Sequence, residues 1–395
     1  MNINDDKSIH SFSTNPYIDA GFLANSLEQS LDLRSYNEFG DSSTTMDKLN
    51  GINDFMEWYM KYFPVPFGSY SKETSWLFGL SKYNAFRMRK GDLTDTITQA
   101  SSVTAFAYYT LNQQYKFVLE SNLMLNKNKA QWKTDFIYTY YPLEFFGIGN
   151  DTKLENQRTL NSSDFQFSSY YLFRIWKKWY IGPEYDYYDY FEVELSEDSK
   201  PLPEDSLTLA HNTGRQSGLG IKLSKEGRDN RFNAQSGYFV DINYQIYNKA
   251  IGSEYNYNYF KADIRYYTTP LKYLTIAVQA RTESKQGDVP VQSLSFLGGD
   301  NSMRGLYYGR YRDNVAVDGQ VELRFPIFWI FGGVVFGGLG QVAPTYDQLA
   351  INSLHYTYGF GLRLKVDSEH NVNMRFDFGF SRDQKIFMMN FSEAF

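Results

Sequence analysis

From residue 236 onward the chain alternates with period two, and both of its alternating faces carry information. Tyr238, Val240, Ile242, Tyr244 and Ile246 take turns with Phe239, Asp241, Asn243 and Gln245. Tyr356, Tyr358, Phe360, Leu362, Leu364 and Val366 enclose Thr357, Gly359, Gly361, Arg363 and Lys365, and Val372, Met374, Phe376, Phe378 and Phe380 enclose Asn373, Arg375, Asp377 and Gly379. Successive side chains of a strand point to opposite sides, so each segment is a strand with one apolar and one charged face. A small soluble barrel with the charged face inward would bury those groups at roughly several kcal/mol each if unpaired. A wide barrel turned inside out, apolar face to lipid and charged face to a wet lumen, avoids that cost. Composition agrees with this reading. There are 34 Tyr and 32 Phe, yet mean hydropathy is -0.49, and no apolar run approaches the roughly 18 residues of a transmembrane helix. A soluble sandwich or propeller is the competing class; the two-faced pattern favours an all-β, transmembrane antiparallel β-barrel.

The strand candidates are 74–88, 100–111, 114–125, 130–141, a weak 143–152, 162–176, 179–195, 212–226, 236–248, 255–268, 272–283, 314–326, 330–342, 354–366, 370–382 and 385–395. They number sixteen, an even count that returns both chain ends to one side. Turns such as Lys177-Lys178 and Pro270-Leu271 fall on the side of the ends, expected to be periplasmic. The longer links 153–161, 196–211, 284–313 and 343–353 fall on the other. The 227–235 link is an exception, long on the short side. Ahead of the strands, 1–43 is polar and reads as a poorly ordered extension. In 44–66, Met46, Leu49, Ile52, Phe55, Met56, Tyr59, Met60 and Phe63 recur at helical spacing before Pro64 and Pro66. That helix either packs on its own protein, lies on a bilayer leaflet or plugs the barrel mouth. The barrel domain is placed at 67–395. The first residues, Met1 to Asp6, show no signal-peptide pattern, so an exported chain is expected to be the processed form.

The 284–313 link is rich in glycine, with Gly287, Gly298, Gly299, Gly305 and Gly309, but also holds Leu294, Phe296, Leu297 and Leu306. A loop lying in water would gain nothing from those apolar residues, so it is expected to fold back into the barrel. Arg304 at its centre then wants a carboxylate. In the following strand Val315, Val317, Val321, Leu323 and Phe325 face one way, leaving Asp318, Gln320, Glu322 and Arg324 toward the lumen. Glu322 is the preferred partner and Asp318 the second; a solvated Arg304 is the alternative.

Other chemistry finds little footing. The chain has no Cys, which excludes disulfides and thiolate metal sites, and a net charge of -6 gives no basis for a nucleic-acid partner. His10, His211, His355 and His370 form no sequence cluster with a nucleophile or carboxylates, so neither an enzyme nor a bound cofactor is expected.

Gly298-Gly299, Arg304-Gly305 and Val321-Glu322-Leu323-Arg324-Phe325-Pro326 resemble the BamA/TamA-like superfamily of outer-membrane insertases and translocases. Arg228-Asp229-Asn230 with Gly237 resembles its element before the ninth strand, and Phe336-Gly-Gly-Leu-Gly340 its closing segment. The match is best over 215–395, and Pro64-Val65-Pro66 is similar to Bacteroidetes-type members. The resemblance implies that the long loop docks on the inner wall through Gly298, Gly299, Arg304, Gly305 and Leu306 against Glu322, and that the seam between the first and last strands opens. It also implies that Phe391 and Phe395 in the last strand form an assembly signal. One departure is Gly338, where the family often has an aspartate. Another is upstream: 1–66 is too short for the family's periplasmic repeat domains, so the chain reads as a member reduced to its barrel, with a periplasmic or lipoprotein partner in their place. The implied function is insertion or translocation of proteins or lipids at the outer membrane, with outer-membrane proteins as clients and outer-membrane lipid as solvent. A passive pore or structural barrel plugged by its own loop is the alternative.

Overall fold

The computed structural model describes residues 42–71, 75–88, 98–195 and 213–395, so nearly all of the polar extension 1–43 lies outside the described residues. The chain divides into two units, Met1–Asn50 and Gly51–Phe395. Among the described residues one helix, α1 (Ser42–Tyr62), precedes the strands and stops before Pro64. The strands are β1 (Val65–Ser71), β2 (Ser75–Phe86), β3 (Ser101–Thr110), β4 (Tyr115–Leu125), β5 (Ala130–Phe145), β6 (Arg158–Trp176), β7 (Trp179–Leu195), β8 (Gly214–Glu226) and β9 (Gly237–Tyr247). They continue with β10 (Tyr257–Leu271), β11 (Leu274–Gly287), a small ribbon of β12 (Ser295–Leu297) and β13 (Tyr311–Asp313), then β14 (Val315–Phe328), β15 (Phe331–Ala343), β16 (His355–Asp367), β17 (Val372–Phe380) and β18 (Lys385–Phe391). All but the ribbon form one sixteen-stranded antiparallel sheet in chain order.

The count equals the expected one, but its members differ. Val65–Ser71, ahead of the first strand expected at 74–88 and overlapping the Pro-rich end of 44–66, is the first strand; Pro66 is tolerated there because β1 is an edge strand and needs no donor on its free side. Residues 143–152 are not a strand of their own. Leu143 to Phe145 prolong β5, and the chain then leaves the sheet through Gly147 and Gly149, at φ of 103° and 105°. Pro270 and Leu271 end β10 behind a register irregularity, and the reversal falls at Lys272 and Tyr273. At the C-terminus the last strand stops at Phe391, not at 395.

The faces are inverted relative to a soluble protein. On β16, Tyr356, Tyr358, Phe360 and Leu362 are exposed while Thr357 and Arg363 are buried; on β17, Phe378 is exposed while Arg375 and Asp377 are buried. Outside, aromatic rings pack from strand to strand: Tyr358 stacks on Phe380 at 5.6 Å and Phe360 on Phe378 at 5.5 Å, and Phe378 tilts against Phe387 at 5.0 Å. Such cross-strand pairs stabilise a sheet by about 0.2–1 kcal/mol each. Inside, charges pair along the wall, as in Lys222 with Asp241 at 2.9 Å and Glu184 at 3.2 Å, or Arg265 with Asp263 at 2.6 Å. An apolar exterior around paired interior charges is the arrangement of a membrane barrel.

The sheet rolls until its edges meet. Tyr83 of β2 stacks on Phe391 of β18 at 5.3 Å. Val65 and Phe67 of β1 and Phe391 of β18 line the same cavity of about 970 Å³ as Tyr188, Asp241 and Asp263. Every other pair of neighbouring strands shares a hydrogen-bonded ladder, but none joins β1 to β18 among the described residues. Phe360 sits near the middle of an outward-facing row. Phe360→Arg is expected to lower folding stability by ~2–4 kcal/mol, as for a basic residue at the bilayer midplane. The guanidinium midpoint of the vesicle-folded protein reads this, and an unchanged midpoint would take Phe360 off the lipid-facing surface.

Candidate functional site

The link from β11 to β14 leaves the wall at Gly287, with φ of 127°, and turns inward. Its apolar residues Leu297, Met303, Leu306 and Tyr311 form one buried cluster with Ala316 of β14 and Val342 of β15. Small residues on the wall make room for it. A Cβ at Gly338 would come within 3.3 Å of the Met303 sulfur, and one at Gly340 within 3.0 Å of Leu297. The closest approach is backbone to backbone: a Cβ on Gly305 would lie 2.6 Å from the Phe380 carbonyl oxygen, and one on Gly379 would lie 2.6 Å from the Gly305 nitrogen. Gly298, Gly299 and Gly305 have φ of 100°, 130° and 120°, a region where glycine alone avoids strain.

Along the tip, successive residues are gripped by side chains of the wall. Arg375 donates to the Asp300 carbonyl and to Asn301 Oδ1, both at 2.8 Å. Gln320 Nε2 donates to the Asn301 carbonyl at 2.6 Å, and the Ser302 hydroxyl donates to Asp318. Arg304, fully buried at 0% exposure, pairs with Glu322 through Nη2 and with Asp377 through Nη1 at 2.8 Å. Its guanidinium lies 3.7 Å from the centre of the Phe336 ring, a cation–π contact added to the ion pairs. Beyond the tip, Tyr307 N donates to Gln384 Oε1 at 2.9 Å, and Arg310 donates to the Thr152 hydroxyl at 2.9 Å and carbonyl at 2.7 Å. Arg312 sits over Phe296, and burial pulls its guanidinium below the usual range.

The acids serve more than one arginine. Glu322 Oε2 accepts from Arg324 Nε at 2.7 Å; Asp377 accepts from Arg363 at 2.6 Å and Arg375 at 3.0 Å. Arg363 Nε in turn donates to Glu393 at 2.7 Å, and Asn373 donates to the same carboxylate at 2.8 Å. Arg304 therefore belongs to a network of four arginines (304, 324, 363 and 375) and three acids, Glu322, Asp377 and Glu393.

Two expectations are corrected by this geometry. Asp318 is not the second partner of Arg304: it accepts from Arg281 at 2.9 Å and from Ser302, one turn of the loop away. The second acid is Asp377, three strands further on, and Gly338 leaves space for Met303, whose sulfur a Cβ there would crowd. Nor does Phe395 belong to the last strand. After Phe391, Ser392 takes φ of 64° and the tail bends into the lumen. There Glu393 N donates to the Phe232 carbonyl at 3.0 Å. Phe395 is buried with Ala234, Tyr267 and Ala277, and its main-chain oxygen accepts from Arg324 at 3.0 Å.

The element before β9 forms the floor that receives this tail. Arg228 donates to both oxygens of Glu226, at 2.9 and 2.6 Å. Asp229 Oδ1 accepts from the amides of Asn230, Gln235 and Ser236, closing the link on itself. Asn230 donates to the His370 carbonyl at 2.9 Å and Arg231 to Asn122 at 2.6 Å, so the link reaches both sides of the mouth. Gly237, with φ of 105°, starts β9 in close contact with Gly227. Sequence reasoning missed Asp377, Arg363, Arg375 and Glu393; the first three stood on an inward face already visible as alternation, but nothing local says which loop they meet. Among the described residues no group of three or more His, Asp or Glu is placed to hold a metal ion.

The sequence pattern of the Omp85 superfamily domain matches residues 77–393. This chain belongs to the Omp85 superfamily. As an Omp85 protein it is a bacterial outer-membrane β-barrel of the insertase and translocase type. Among solved structures it is similar to BamA from Haemophilus ducreyi lacking POTRA domains 1-3, at 14% identity and a TM-score of 0.50, over 83% of this chain and 68% of that one. It is also similar to CdiB from Escherichia coli, at 10% identity and a TM-score of 0.53, over 83% of this chain and 59% of that one. At such identities the likeness is one of fold, and the chain spans less than two thirds of CdiB. No curated protein matches it.

The charge balance of the Omp85 lumen makes its two central substitutions unequal. Arg304→Met leaves each acid with another arginine, so the loop is released and cut by added protease while the barrel stays folded. Glu322→Gln leaves Arg304 with Asp377 alone and Arg324 with no carboxylate nearer than Glu393 at 3.9 Å, an excess of buried positive charge that costs about 3–5 kcal/mol. Heat-modifiable gel migration followed against temperature is expected to fail earlier for Glu322→Gln than for Arg304→Met; the opposite order would show that the arginine, not the acid, limits stability.

Proposed function

We propose that this barrel assists the insertion or translocation of proteins at the outer membrane by parting between β1 and β18, with α1 and the short turns on the periplasmic side. The contrast between a braced wall and an unbraced seam carries this reading. β1 and β18 have seven residues each, the shortest strands of the sheet. An edge strand with free N–H and C=O groups is a template for an incoming strand. Elsewhere the docked loop ties β14, β15 and β17 together through Glu322, Gly338 and Asp377, so that side of the wall stays braced when the edges part. Unfolded outer-membrane proteins are the clients this edge suits, delivered by a periplasmic or lipoprotein partner. A passive pore is less well supported, since the 227–236 link and the tail close one mouth and the long loop occupies the lumen.

Depletion of the protein is expected to lower the levels of other outer-membrane proteins; unaltered levels would overturn the proposal. Disulfides placed between 65–71 and 385–391, in a chain with no Cys of its own, are expected to block function until reduced. A locked barrel that works as well as the open one would discard the seam and leave a role for the lumen alone.

A further inference from the structure

The helix α1 is not accounted for by the barrel or its loop. Its C-terminal end meets a part of the wall that alternation marks as outward. On β2, Trp76, Phe78 and Leu80 are exposed, whereas Leu77 and Ser81 line the lumen. Lys82 and Asn84 continue the outward series, so two polar side chains stand where lipid would be expected. Both are answered by the helix: Lys82 Nζ donates to the Met60 carbonyl at 2.5 Å and Asn84 Nδ2 to the Lys61 carbonyl at 3.2 Å. These are among the last carbonyls of α1, which have no partner within the helix, and an ammonium there complements the helix dipole. The helix end is therefore fastened to the outside of the wall. Further along, Glu57 Oε1 accepts from the Ser368 hydroxyl at 2.7 Å. Ser368 lies in the turn joining β16 and β17, across the β1–β18 seam from β2. The segment from Glu57 to Lys61 thus runs past the seam at the short-turn end.

Around its axis this part of the helix has three sectors. Asn53, Met56 and Met60 are partly buried. Asp54 and Lys61 are exposed polar residues on another side. The third carries Ile52, Phe55, Trp58 and Tyr62, with Phe63 beyond the last turn. They are 46–62% exposed and joined ring to ring, Phe55 to Trp58 at 5.8 Å and Trp58 to Tyr62 at 5.9 Å. This face is continuous with the lipid-facing wall, because after Phe63 and Pro64 the chain enters β1, whose Pro66 pairs with the outward-facing Leu80.

We propose that α1 is an in-plane membrane helix strapped to the outer wall across the seam, its aromatic face seated in the phospholipid leaflet on the short-turn side. Trp and Tyr favour that depth, where a ring meets both acyl chain and headgroup, and a helix with such a face settles ~5–10 Å into the headgroup–acyl boundary. The leaflet takes the aromatic sector, the wall takes Met56 and Met60, and water takes Asp54 and Lys61.

The absence of native Cys makes single-site labelling clean. Full-length protein bearing a nitroxide at Phe55→Cys, or at Asp54→Cys as the water-facing comparison, is folded into phosphatidylethanolamine–phosphatidylglycerol vesicles, with heat-modifiable migration checking that each barrel is intact. The Phe55 label is expected to collide several-fold more with dissolved oxygen than with a water-soluble nickel chelate, and the Asp54 label to show the reverse. Equal access of nickel to both labels would put the aromatic face in water and overturn the proposal. Exclusion of both reagents from the Phe55 label, or spin–spin broadening that disappears on dilution with unlabelled protein, would overturn it in favour of a protein partner or a second copy.

Discussion

A guanidinium with no access to water must be matched by carboxylates, and in this barrel that requirement fixes the relation between a loop and three strands. Arg304 enters from the link between β11 and β14, Glu322 stands on β14, Phe336 on β15 and Asp377 on β17. Each acid has one arginine on its own strand, Arg324 for Glu322 and Arg375 for Asp377, but Arg304 meets its carboxylates only on the wall. The inward charges that a wide, wet lumen would solvate are here enclosed by the loop, so the loop must return in ion pairs what it removes in hydration. That explains why its tip is held at nearly every residue from Asp300 to Arg304, and why glycines face each other at Gly305 and Gly379. The pairing distance leaves no room for a Cβ on either chain.

A second inward element closes the opposite end. The 227–236 link, which looked anomalous for its length on the side of tight turns, spends that length crossing the mouth from Asn122 to His370. Its Phe232 carbonyl and the Ala234 pocket receive the C-terminal tail. The terminal aromatic is therefore part of the interior packing, and the outward apolar series of β18 stops before it.

Much of this was legible as alternation. The inward positions of β14, β16 and β17 and the outward aromatic rows follow directly from period two, and Glu322 follows from the face it shares with Asp318, Gln320 and Arg324. What alternation could not supply was distance across the lumen. Asp377 is 73 residues from Arg304, and only the roll of the sheet brings β17 beside the loop. The same limit misplaced the acid beside Arg304: Asp318 faces the right way, but lies level with Ser302. At the edges, the short β1 was hidden because Pro64 before it and Pro66 within it resemble the end of a helix. The tail at Ser392 to Phe395 was read as strand because a hydrophobic end has no local signal for bending inward.

Glu393 joins these two halves of the interior. It shares Arg363 with Asp377, and Asp377 holds Arg304; the tail that follows the seam strand and the loop that fills the lumen thus draw on the same few charges. Linkage requires the exchange to be symmetrical: whatever free energy the seated loop contributes to keeping the tail in place, the seated tail contributes to keeping the loop in place. The last strand is therefore a lever as well as an edge. Displacing it withdraws a carboxylate from Arg363 and redistributes charge around Arg304, while a lumen whose loop has shifted loosens its hold on that strand by the same amount.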